Sequence, residues 1–570
     1  MLKLYKGLGS YLKEIALLVL CLVVQSFALL LLPNMMSNII DQGVITGDID
    51  FIVHRGLLML LIALGGSASA IGVGYLASKI GVSFCTDVRK KLFCHVDKFT
   101  MSEFDKVGPS SLTTRSTNDV LQIQNFTIMM FRVIILAPIM CAGGIILSVE
   151  KNPQLALVLV VCMPIILLFL VIIMKRAFPV FRSMQKKLDR VNQVVRENIT
   201  GVRVIRAFTA EQREEDRFDT ANEDMTATSK KSQIMISTLM PLMMLIINLG
   251  TVAVVWFGGQ LISDGALMVG DLMAFIQYLM LIMYALVMMS LIFAMMPRAS
   301  TCADRINEVL DIEPDIVEPQ NAKKPERQTG VVEFCDVELN YDQSGKPAVS
   351  SISFTARPGE TTALIGATGS GKSSIVSLIP RLRDVTGGAV LVDGVDVREY
   401  DLDSLRSRIG FVPQNSSLFS GTIHSNIAYH NQNLPMEKVE QAAKIAQADT
   451  FIQKKKHKYD DLIAQGGTNV SGGQRQRLTI ARAIASEAGI LVFDDSFSAL
   501  DFKTDAALRK AIKESNKDAT LIIVAQRVNT IMNAEKIIVL DKGRIVGEGT
   551  HNELLKSCDV YAEIANTQLA

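Results

Sequence analysis

Long apolar runs alternate with charged stretches in the first half of the chain and disappear in the second half. Six of these runs reach the length of about 20 residues that a helix needs to cross a bilayer. They lie near residues 12–33, 57–77, 131–149, 154–174, 235–257 and 272–296. One such run alone is also compatible with a buried helix of a soluble protein, but six in succession predict a membrane domain.

Basic residues between the runs indicate an orientation. The connections 78–130 and 175–234 are rich in Lys and Arg, whereas Arg55 is the one Lys or Arg in the connection 34–56. Positively charged connections stay on the cytoplasmic side of a membrane. We therefore expect a multi-pass plasma-membrane protein with both long connections, both chain ends and the second half of the chain in the cytoplasm.

Apolar positions at helical spacing continue through residues 182–207, beyond the fourth run. We expect the fourth and fifth membrane helices to extend far into the cytoplasm for this reason. A polar, proline-containing stretch after the sixth run leads into a mixed composition typical of soluble domains. This pattern predicts a transmembrane domain at 1–310, a linker at 311–328 and a second domain at 329–570.

Composition agrees with this division. A chain of 570 residues is too long for one core. Hydrophobic residues make up 49% of it, and charged residues make up 20%, which is too many for a purely intramembrane chain. A net charge of +1 gives no indication of a nucleic-acid partner. The eight cysteines lack metal-ligand spacing and are interpreted as reduced thiols.

The segment G-A-T-G-S-G-K-S at 366–373 matches the phosphate-loop pattern G-x-x-x-x-G-K-[ST]. Residues 361–365 predict the strand that must precede such a loop, and 374–379 predict the helix that must follow it. Glycines let successive backbone N–H groups turn towards a phosphate, and the helix N-terminus adds its positive end. Lys372 would reach the β- and γ-phosphates of ATP, and the Ser373 hydroxyl would bind Mg²⁺.

Two further segments have chemistry that suits ATP. An apolar strand at 490–493 ends at Asp494, and a carboxylate beside the phosphates is the expected partner of Mg²⁺. The helix start S-G-G-Q at 471–474 lies between the phosphate loop and this strand. Its glycines and serine leave N–H groups and a hydroxyl available to an anion.

This order of motifs resembles the ATP-binding cassette of ABC transporters, and the fused membrane domain resembles an exporter half-transporter. The resemblance implies a multidomain fold, an all-α six-helix transmembrane domain followed by an α/β P-loop cassette with a helical signature subdomain. It also implies ATP and Mg²⁺ as cofactors. Residues 202–218 resemble the second coupling region of such exporters, where a short helix would dock on the ATP domain of the opposite subunit.

The resemblance also implies roles for individual residues. Tyr341 would stack on adenine, Gln414 would contact the metal or the attacking water, and Asp501 would lie in the loop that crosses between two ATP sites. The signature residues Ser471, Gly472, Gly473 and Gln474 would face the γ-phosphate held by a second subunit. The implied ATP-binding residues are Tyr341, Gly366, Thr368, Gly369, Ser370, Gly371, Lys372, Ser373 and Ser374, and the implied magnesium ligands are Ser373, Gln414 and Asp494.

Two positions at the implied catalytic centre depart from the family pattern. Asp495 stands where the family has a glutamate that polarises the attacking water, and its carboxylate is one methylene shorter. Gln526 stands where the family has its switch histidine, and it cannot carry a positive charge. Together they predict a site that binds ATP but hydrolyses it slowly, in a heterodimer whose catalysis occurs mainly at the partner's composite site. A slow homodimer using Asp495 is the alternative.

The predicted function is ATP-driven export of amphipathic or hydrophobic substrates, drug-like molecules or lipids, by alternating access. The fifth and sixth runs are rich in methionine, which suits an adaptable apolar pocket, although ordinary helix packing is the simpler interpretation. These methionines are Met240, Met243, Met244, Met280, Met283, Met288 and Met289. We interpret the spans as lacking charged side chains, which disfavours a site for a charged substrate.

Two functions of other classes stay open at this point. One is a phosphate-loop ATPase that is merely tethered to a membrane. The other is an ATP sensor or channel regulator that does not pump, a role that Asp495 and Gln526 would suit. ATP-dependent transport by the chain with its partner separates export from both.

Overall fold

A computed structural model describes residues 1–319, 321–325, 329–341, 345 and 347–569, without the helical side chains at 170, 174, 177, 178, 181, 236, 239, 240, 294 and 569. The chain divides into two compact units. The first consists of Met1–Asp97 and Val107–Ile312, and the second consists of Lys98–Lys106 and Glu313–Ala570. Part of the predicted linker, at 320 and 326–328, lies outside the described residues.

The helices in the first 312 residues include six that are long and apolar enough to cross a membrane. These spans are Leu2–Val44, Ile49–Val96, Pro109–Lys151, Pro153–Ile173, Pro241–Ser263 and Val269–Leu310. The individual helices are α1 (Leu2–Tyr5), α2 (Leu12–Asn38), α3 (Ile49–Val96), α4 (Met101–Val107), α5 (Pro109–Thr114), α6 (Val120–Val133), α7 (Leu136–Lys151), α8 (Pro153–Ala207), α9 (Glu211–Ser263) and α10 (Val269–Leu310). The predicted set of six apolar spans is confirmed for the described part of the chain.

The third span is broken between α6 and α7, where the sequence pattern predicts one continuous run. Pro138 has no backbone N–H to offer the carbonyl of Ile134, and its ring clashes with that carbonyl in a regular helix. The helix therefore ends at Val133 and resumes at Leu136. Arg132 lies at this break, inside the predicted run 131–149. The interpretation that the spans lack charged side chains is therefore wrong at Arg132, and it is also wrong at Lys13 and Glu14, which lie in the predicted run 12–33.

Helices α8 and α9 are much longer than a bilayer is thick. Helix α8 has 55 residues, about 82 Å at 1.5 Å per residue, against a hydrocarbon core of about 30 Å. It is helical throughout the predicted stretch 182–207. At the tip, α8 ends at Ala207 and α9 begins at Glu211, with Thr209 at a φ of 52°. Residues 202–218 therefore consist of the end of α8, a turn at 208–210 and the start of α9, where the family resemblance implied a separate short helix.

Ionic and polar contacts join the ends of α2, α7 and α10 on one side of the helical unit. Lys151 forms an ion pair with Asp271 and donates a hydrogen bond to Ser37 Oγ at 3.1 Å. Ser37 Oγ in turn donates to Asp271 Oδ1 at 2.8 Å. The N–H of Gly270 donates to Asp41 Oδ1 at 2.7 Å. This cluster marks one level of the membrane domain, at the short turn that separates the third span from the fourth.

The methionines of the fifth and sixth spans are divided between packing and exposure. Met243 and Met283 are buried in a core with leucines and isoleucines, whereas Met244 and Met280 are more than half exposed. The side chain of Met240 lies outside the described residues. Helix packing therefore accounts for the two buried methionines.

Three sheets form the framework of the second unit in its described residues. Their strands are β1 (Val332–Leu339), β2 (Val349–Ala356), β3 (Thr361–Gly366), β4 (Gly387–Val392), β5 (Val395–Asp396), β6 (Ile409–Val412), β7 (Gly421–Thr422), β8 (Leu462–Ile463), β9 (Ile490–Asp494), β10 (Thr520–Val524), β11 (Lys536–Asp541) and β12 (Arg544–Gly549). The main sheet has the order β12-β11-β3-β10-β9-β6, with β12 antiparallel and the others parallel. An antiparallel sheet has the order β2-β1-β4-β5, and β7 pairs with β8.

The central strands β3, β9 and β10 are buried at every position, which is typical of a parallel sheet covered on both faces. The covering helices are α11 (Lys372–Leu378), α12 (Leu402–Arg406), α13 (Ile423–Ile427), α14 (Met436–Ile445), α15 (Asp449–Ile452), α16 (Gly472–Ala485), α17 (Phe502–Ser515), α18 (Val528–Ile531), α19 (His551–Ser557) and α20 (Asp559–Leu569). The helices α13 to α16 form the predicted helical subdomain between β6 and β9.

Residues 98–106, which include most of α4, belong to the second unit although the sequence on both sides belongs to the first. Glu103 is 2% exposed, and its Oε1 accepts a hydrogen bond from the N–H of Asp315 at 2.7 Å. Burial alone would raise the pKa of Glu103, but hydrogen bonds from Thr100 and Asp315 hold it below its usual value. An ionised Glu103 therefore joins this segment to the start of the predicted linker.

Candidate functional site

The phosphate loop connects β3 to α11 and has the backbone geometry that an anion requires. Gly369 and Gly371 have φ values of 82° and 96°. A Cβ on Gly371 would lie 2.4 Å from Val349 Cγ1 and 2.9 Å from the carbonyl oxygen of Ala348, whereas a Cβ on Gly369 would meet nothing within 4 Å. The loop is thus closely packed at its base and open at Gly369, where its backbone can approach a phosphate.

Lys372 is held against this loop by neutral acceptors. Its side chain is 7% exposed, and Nζ donates to the carbonyl oxygens of Gly366 and Ala367, both at 2.8 Å. Burial lowers the pKa of Lys372, while the carboxylates of Asp495 and Asp494 act in the opposite direction. The loop therefore places one cationic donor in position for phosphate oxygens.

Asp494 reaches the loop from the end of β9. Ser373 Oγ donates to Asp494 Oδ1 at 2.9 Å. Burial raises the pKa of Asp494, and the hydrogen bond from Ser373 partly offsets this shift. A hydroxyl and a carboxylate are the hard oxygen ligands that Mg²⁺ prefers, and Mg²⁺ commonly takes its remaining ligands from water and substrate phosphates. The pair thus fits the predicted magnesium ligands.

Asp495 and Gln526, the two residues that depart from the family pattern, are in direct contact. Gln526 Nε2 donates to Asp495 Oδ2 at 2.9 Å. Burial raises the pKa of Asp495, and a hydrogen bond with Gln414 acts against that rise. The neutral amide of Gln526 therefore hydrogen-bonds to the carboxylate that stands in the position of the water-polarising group, and Gln414 acts on the pKa of the same carboxylate.

The register of the parallel sheet explains this contact. Strands β9 and β10 are neighbours, with Asp494 paired to Val524, so the residues that follow each strand emerge at the same edge. The N–H of Asp495 donates to the carbonyl of Val524 at 3.1 Å. Asp495 has a φ of 46°, a left-handed conformation that Asp tolerates better than most residues.

Tyr341 and Ser374 lie together at the start of α11. Their hydroxyl oxygens are 2.7 Å apart, and the Tyr341 ring is 52% exposed. The guanidinium of Arg383 lies 4.7 Å from the centre of that ring. The ring is thus available for stacking, as the adenine prediction requires, and Arg383 is a neighbour that the sequence did not indicate.

The signature residues form the start of α16, apart from the phosphate loop. Ser471 Oγ accepts from the N–H of Gln474 at 3.3 Å, and Gln474 Oε1 accepts from the N–H of Ser471 at 3.1 Å. A Cβ on Gly472 would meet nothing within 4 Å, and one on Gly473 would lie 3.3 Å from the carbonyl oxygen of Ala499. Among the described residues, no hydrogen bond joins 471–474 to 366–374. This capped helix start is open to an external anion.

Asp501 caps the next helix. Its carboxylate accepts from the N–H of Thr504 at 3.1 Å, at the N-terminus of α17. Thr368 and Ser370 lie in the phosphate loop, where Ser370 is 3% exposed and its Oγ lies 3.4 Å from Lys372 Nζ. The structure therefore joins the phosphate loop, Asp494, Asp495, Gln414 and Gln526 in one site and places 471–474 beside the loop that contains Asp501.

Gln568 is a further neighbour of this site, and the sequence did not indicate it. On α20, Gln568 Nε2 donates to the carbonyl of Gln526 at 2.8 Å, and its Oε1 accepts from the N–H of Val528 at 2.8 Å. These bonds fix the backbone on both sides of Arg527. No local motif marks Gln568, because its partners are about 40 residues away and are backbone groups.

A membrane domain of six apolar helices, joined in one chain to an α/β domain with a phosphate loop, defines an ATP-driven membrane transporter of the exporter class. Family comparison agrees. A profile described as "ABC transporter transmembrane region" matches residues 15–286, and one described as "ABC transporter" matches residues 349–498. The chain belongs to the ABC transporter family.

Relatives of similar length support this assignment. An uncharacterized ABC transporter ATP-binding protein of Mycobacterium tuberculosis is 43% identical over 99% of this chain and 97% of its own length. YfiB, another uncharacterized ABC transporter ATP-binding protein, from Bacillus subtilis, is 38% identical over 98% of both chains. The ATP-dependent lipid A-core flippase of Vibrio vulnificus is 29% identical over 99% of this chain and 97% of its own length.

A solved structure matches the whole fold. The structure of a bacterial Atm1-family ABC exporter with ATP bound covers 98% of both chains with a TM-score of 0.81 at 25% identity. The predicted fold class is thus confirmed, and the chain is an ATP-driven ABC exporter with fused transmembrane and ATP-binding domains. Its ATP-binding domain implies ATP hydrolysis coupled to transport, and its apolar spans indicate a multi-pass membrane protein.

Proposed function

We propose that this chain is one half of a heterodimeric exporter whose own phosphate loop holds ATP in a slowly hydrolysing site. Its signature at 471–474 would complete the ATP site of the partner half-transporter, where most hydrolysis would occur. The loop glycines and Lys372 would bind the phosphates, and Tyr341 would stack on adenine. Ser373, Asp494 and Gln414 would hold Mg²⁺, whose charge neutralises phosphate oxygens.

The hydrogen bond between Gln526 and Asp495 is the observation that supports a slow site. A water-polarising carboxylate must be free to accept a proton from water, and here one oxygen of Asp495 already accepts from Gln526 at 2.9 Å. The Asp side chain also ends one methylene short of where a glutamate would reach. A displacement of about 1 Å from the reactive geometry can lower a rate about a hundredfold.

The double substitution Asp495→Glu with Gln526→His tests this proposal. We expect the maximal ATPase rate of the purified complex to rise by up to about twofold, because a repaired second site would add to the hydrolysis at the partner's composite site. The longer carboxylate would reach the attacking water, and the imidazole can carry charge. Asp495→Asn is the matched control, since it keeps the size of the side chain but removes its charge, and it should give no rise. ATP binding measured on all variants would show that the site stays folded.

An unchanged rate in the double variant would contradict the slow-site proposal. A heterodimer further predicts that the tagged chain, purified from its native membrane, brings down a second half-transporter with Glu and His at the two corresponding positions. A self-associated chain that transports in liposomes without any partner would instead establish the homodimer. ATP binding without transport in any pairing would favour the non-pumping regulator.

We also propose that the exporter moves amphipathic or hydrophobic molecules. The similarity to a lipid A-core flippase supports a lipid or lipid-like substrate. The apolar lining of the membrane domain supports the same class. Transport would proceed by alternating access, with cassette closure on ATP opening the cavity outwards. The basic connections 78–130 and 175–234, the chain ends and the ATP-binding domain would lie in the cytoplasm, and 311–328 would be the linker between the domains.

A further inference from the structure

A cavity of about 350 Å³ lies among the membrane helices of the first unit, separate from the ATP site. Helices α2, α3, α7 and α10 supply apolar walls, among them Leu29, Val73, Met140 and Met288. Gln25 of α2 and Arg132 at the end of α6 line the same cavity, together with Tyr284 of α10, whose ring carries a hydroxyl. The cavity therefore combines a mainly apolar surface with a few polar groups, which is the usual composition of a small-molecule site.

Arg132 gives the cavity a permanent positive charge. A guanidinium does not lose its proton in proteins, and charged side chains within membrane spans are rare, costly and commonly functional. In the part of the chain that the structure describes, no carboxylate forms an ion pair with Arg132, and no protein acceptor forms a hydrogen bond with it. Among the described residues, the exposed Arg132 side chain therefore has no neutralising partner.

Gln25 is a second polar group in the same cavity, and it is the one with a buried, unsatisfied atom among the described residues of that lining. Its Oε1 is buried and has no hydrogen-bond donor among the described residues. A buried acceptor without a donor costs about 1–3 kcal/mol, so a water molecule or a bound molecule that donates a hydrogen bond to it is favoured. An occupant that donates a hydrogen bond to Gln25 would remove this cost.

Arg132 and Gln25 lie at different depths in the membrane domain. The contact between Lys151 and Ser37 marks one surface of the domain. When the short break between α6 and α7 is counted as helix, Arg132 precedes Lys151 by about 28 Å, close to the hydrocarbon thickness of about 30 Å. Gln25 precedes Ser37 by about 18 Å within α2. Arg132 thus lies near the opposite surface, with Gln25 about 10 Å deeper. In the proposed orientation that opposite surface is the cytoplasmic one.

We propose that this cavity binds an amphiphile with an anionic headgroup, a phosphate or a carboxylate on an apolar chain. The headgroup of the amphiphile pairs with Arg132 at the level of the inner leaflet. A hydroxyl between the headgroup and the apolar tail donates a hydrogen bond to Gln25. The apolar tail lies against Leu29, Met140 and Met288. The inference rests on the proposed export function, because it names the substrate class of that exporter.

Two ligands that differ by one phosphate test the charge on the headgroup. Oleoyl lysophosphatidic acid and monooleoylglycerol share the acyl chain and the glycerol hydroxyl, and the second lacks the phosphate. Equilibrium binding of both is measured, as radiolabelled ligands, to the transporter complex purified in neutral detergent. We expect Arg132→Gln to weaken binding of lysophosphatidic acid about tenfold or more, and Arg132→Lys to weaken it less. Binding of monooleoylglycerol should change less than about twofold in either variant, and it also verifies that the cavity is folded.

Arg55→Gln is the matched control. Arg55 is a cation over the ring of Phe51, 5.4 Å from its centre, and it does not line the cavity. It should leave both ligands unaffected. Gln25→Leu should weaken the binding of both ligands equally, since both have the hydroxyl that would donate a hydrogen bond to Gln25.

Three results would overturn the inference. The first is an equal loss of affinity for both ligands in Arg132→Gln, and the second is no loss of affinity for either. The third is displacement of lysophosphatidic acid by the same concentration of inorganic phosphate, which would show a site for free anions. The measurement requires no hydrolysis. Intact charge-selective binding without transport would therefore count against the proposed export function alone, and transport with binding that ignores Arg132 would count against this inference alone.

Discussion

At the scale of single residues, Gly371 supports the junction between the phosphate loop and α11. Its φ of 96° is one that L-residues rarely adopt, and a Cβ there would overlap Val349. Gly369 has a similar φ of 82° but open space around it. The two glycines therefore separate two effects of adding a methyl group, backbone strain alone at Gly369 and strain with a steric clash at Gly371.

Substituting each glycine by alanine should give different results. We expect Gly369→Ala to lower stability by about 1 kcal/mol, since only the left-handed backbone is penalised. Gly371→Ala should lower it by a further 1–3 kcal/mol or so, and weaken ATP binding, because the helix start must move. Thermal unfolding and binding of a fluorescent ATP analogue, both on the purified complex, measure these changes. Equal effects at the two positions would contradict the role assigned to Val349.

Individual residues also show what the sequence could predict of the site. The phosphate loop, Asp494 and the signature could be predicted from the sequence, because each is a short local motif with one chemical role. The contact of Gln526 with Asp495 was not readable, because it depends on β9 and β10 being neighbours in the sheet. The two departures from the family pattern are therefore one local change around a single carboxylate.

At the scale of elements, α20 acts on the site through its last described turn. Gln568 forms hydrogen bonds with the backbone at Gln526 and Val528. The position of residues 525–530, here called the switch segment, therefore depends on the packing of a helix that is distant in sequence. The break between α6 and α7 is an element-scale feature that Pro138 could have revealed. The hydropathy pattern hid it, because apolar residues continue on both sides of the break.

Removing the Gln568 side-chain contacts should loosen the switch segment. We expect amide hydrogen exchange at residues 525–530 to become roughly tenfold to thirtyfold faster in Gln568→Ala, since two hydrogen bonds of about 1 kcal/mol each are lost. Thr567→Ala is the control, because the Thr567 hydroxyl bonds to the carbonyl of Glu563 within its own helix. Unchanged exchange in Gln568→Ala would show that the packing of α20, and not this side chain, fixes the segment.

At the scale of the whole molecule, the membrane and ATP-binding halves were predictable because their compositions differ so strongly. The orientation in the membrane stays a prediction from the basic connections. Two exposed free cysteines, Cys94 and Cys335, give a direct way to examine it. Both lie in parts of the chain that we place in the cytoplasm.

A membrane-impermeant maleimide should therefore leave Cys94 and Cys335 unlabelled in intact cells and label both after permeabilisation. Thr46→Cys provides the opposite control, since Thr46 is exposed and lies in the connection predicted outside the cell. It should be labelled in intact cells. Labelling of Cys335 without permeabilisation would reverse the proposed orientation and place the ATP-binding domain outside.

The assignment of residues 98–106 to the second unit has a practical consequence for isolating that unit. A fragment cut from the chain at residue 313 would omit these residues and, with them, the carboxylate of Glu103 that binds the N–H of Asp315. The fragment would expose the surface that 98–106 covers. A soluble version of the ATP-binding unit would therefore need this nine-residue piece supplied as a peptide or grafted ahead of residue 313.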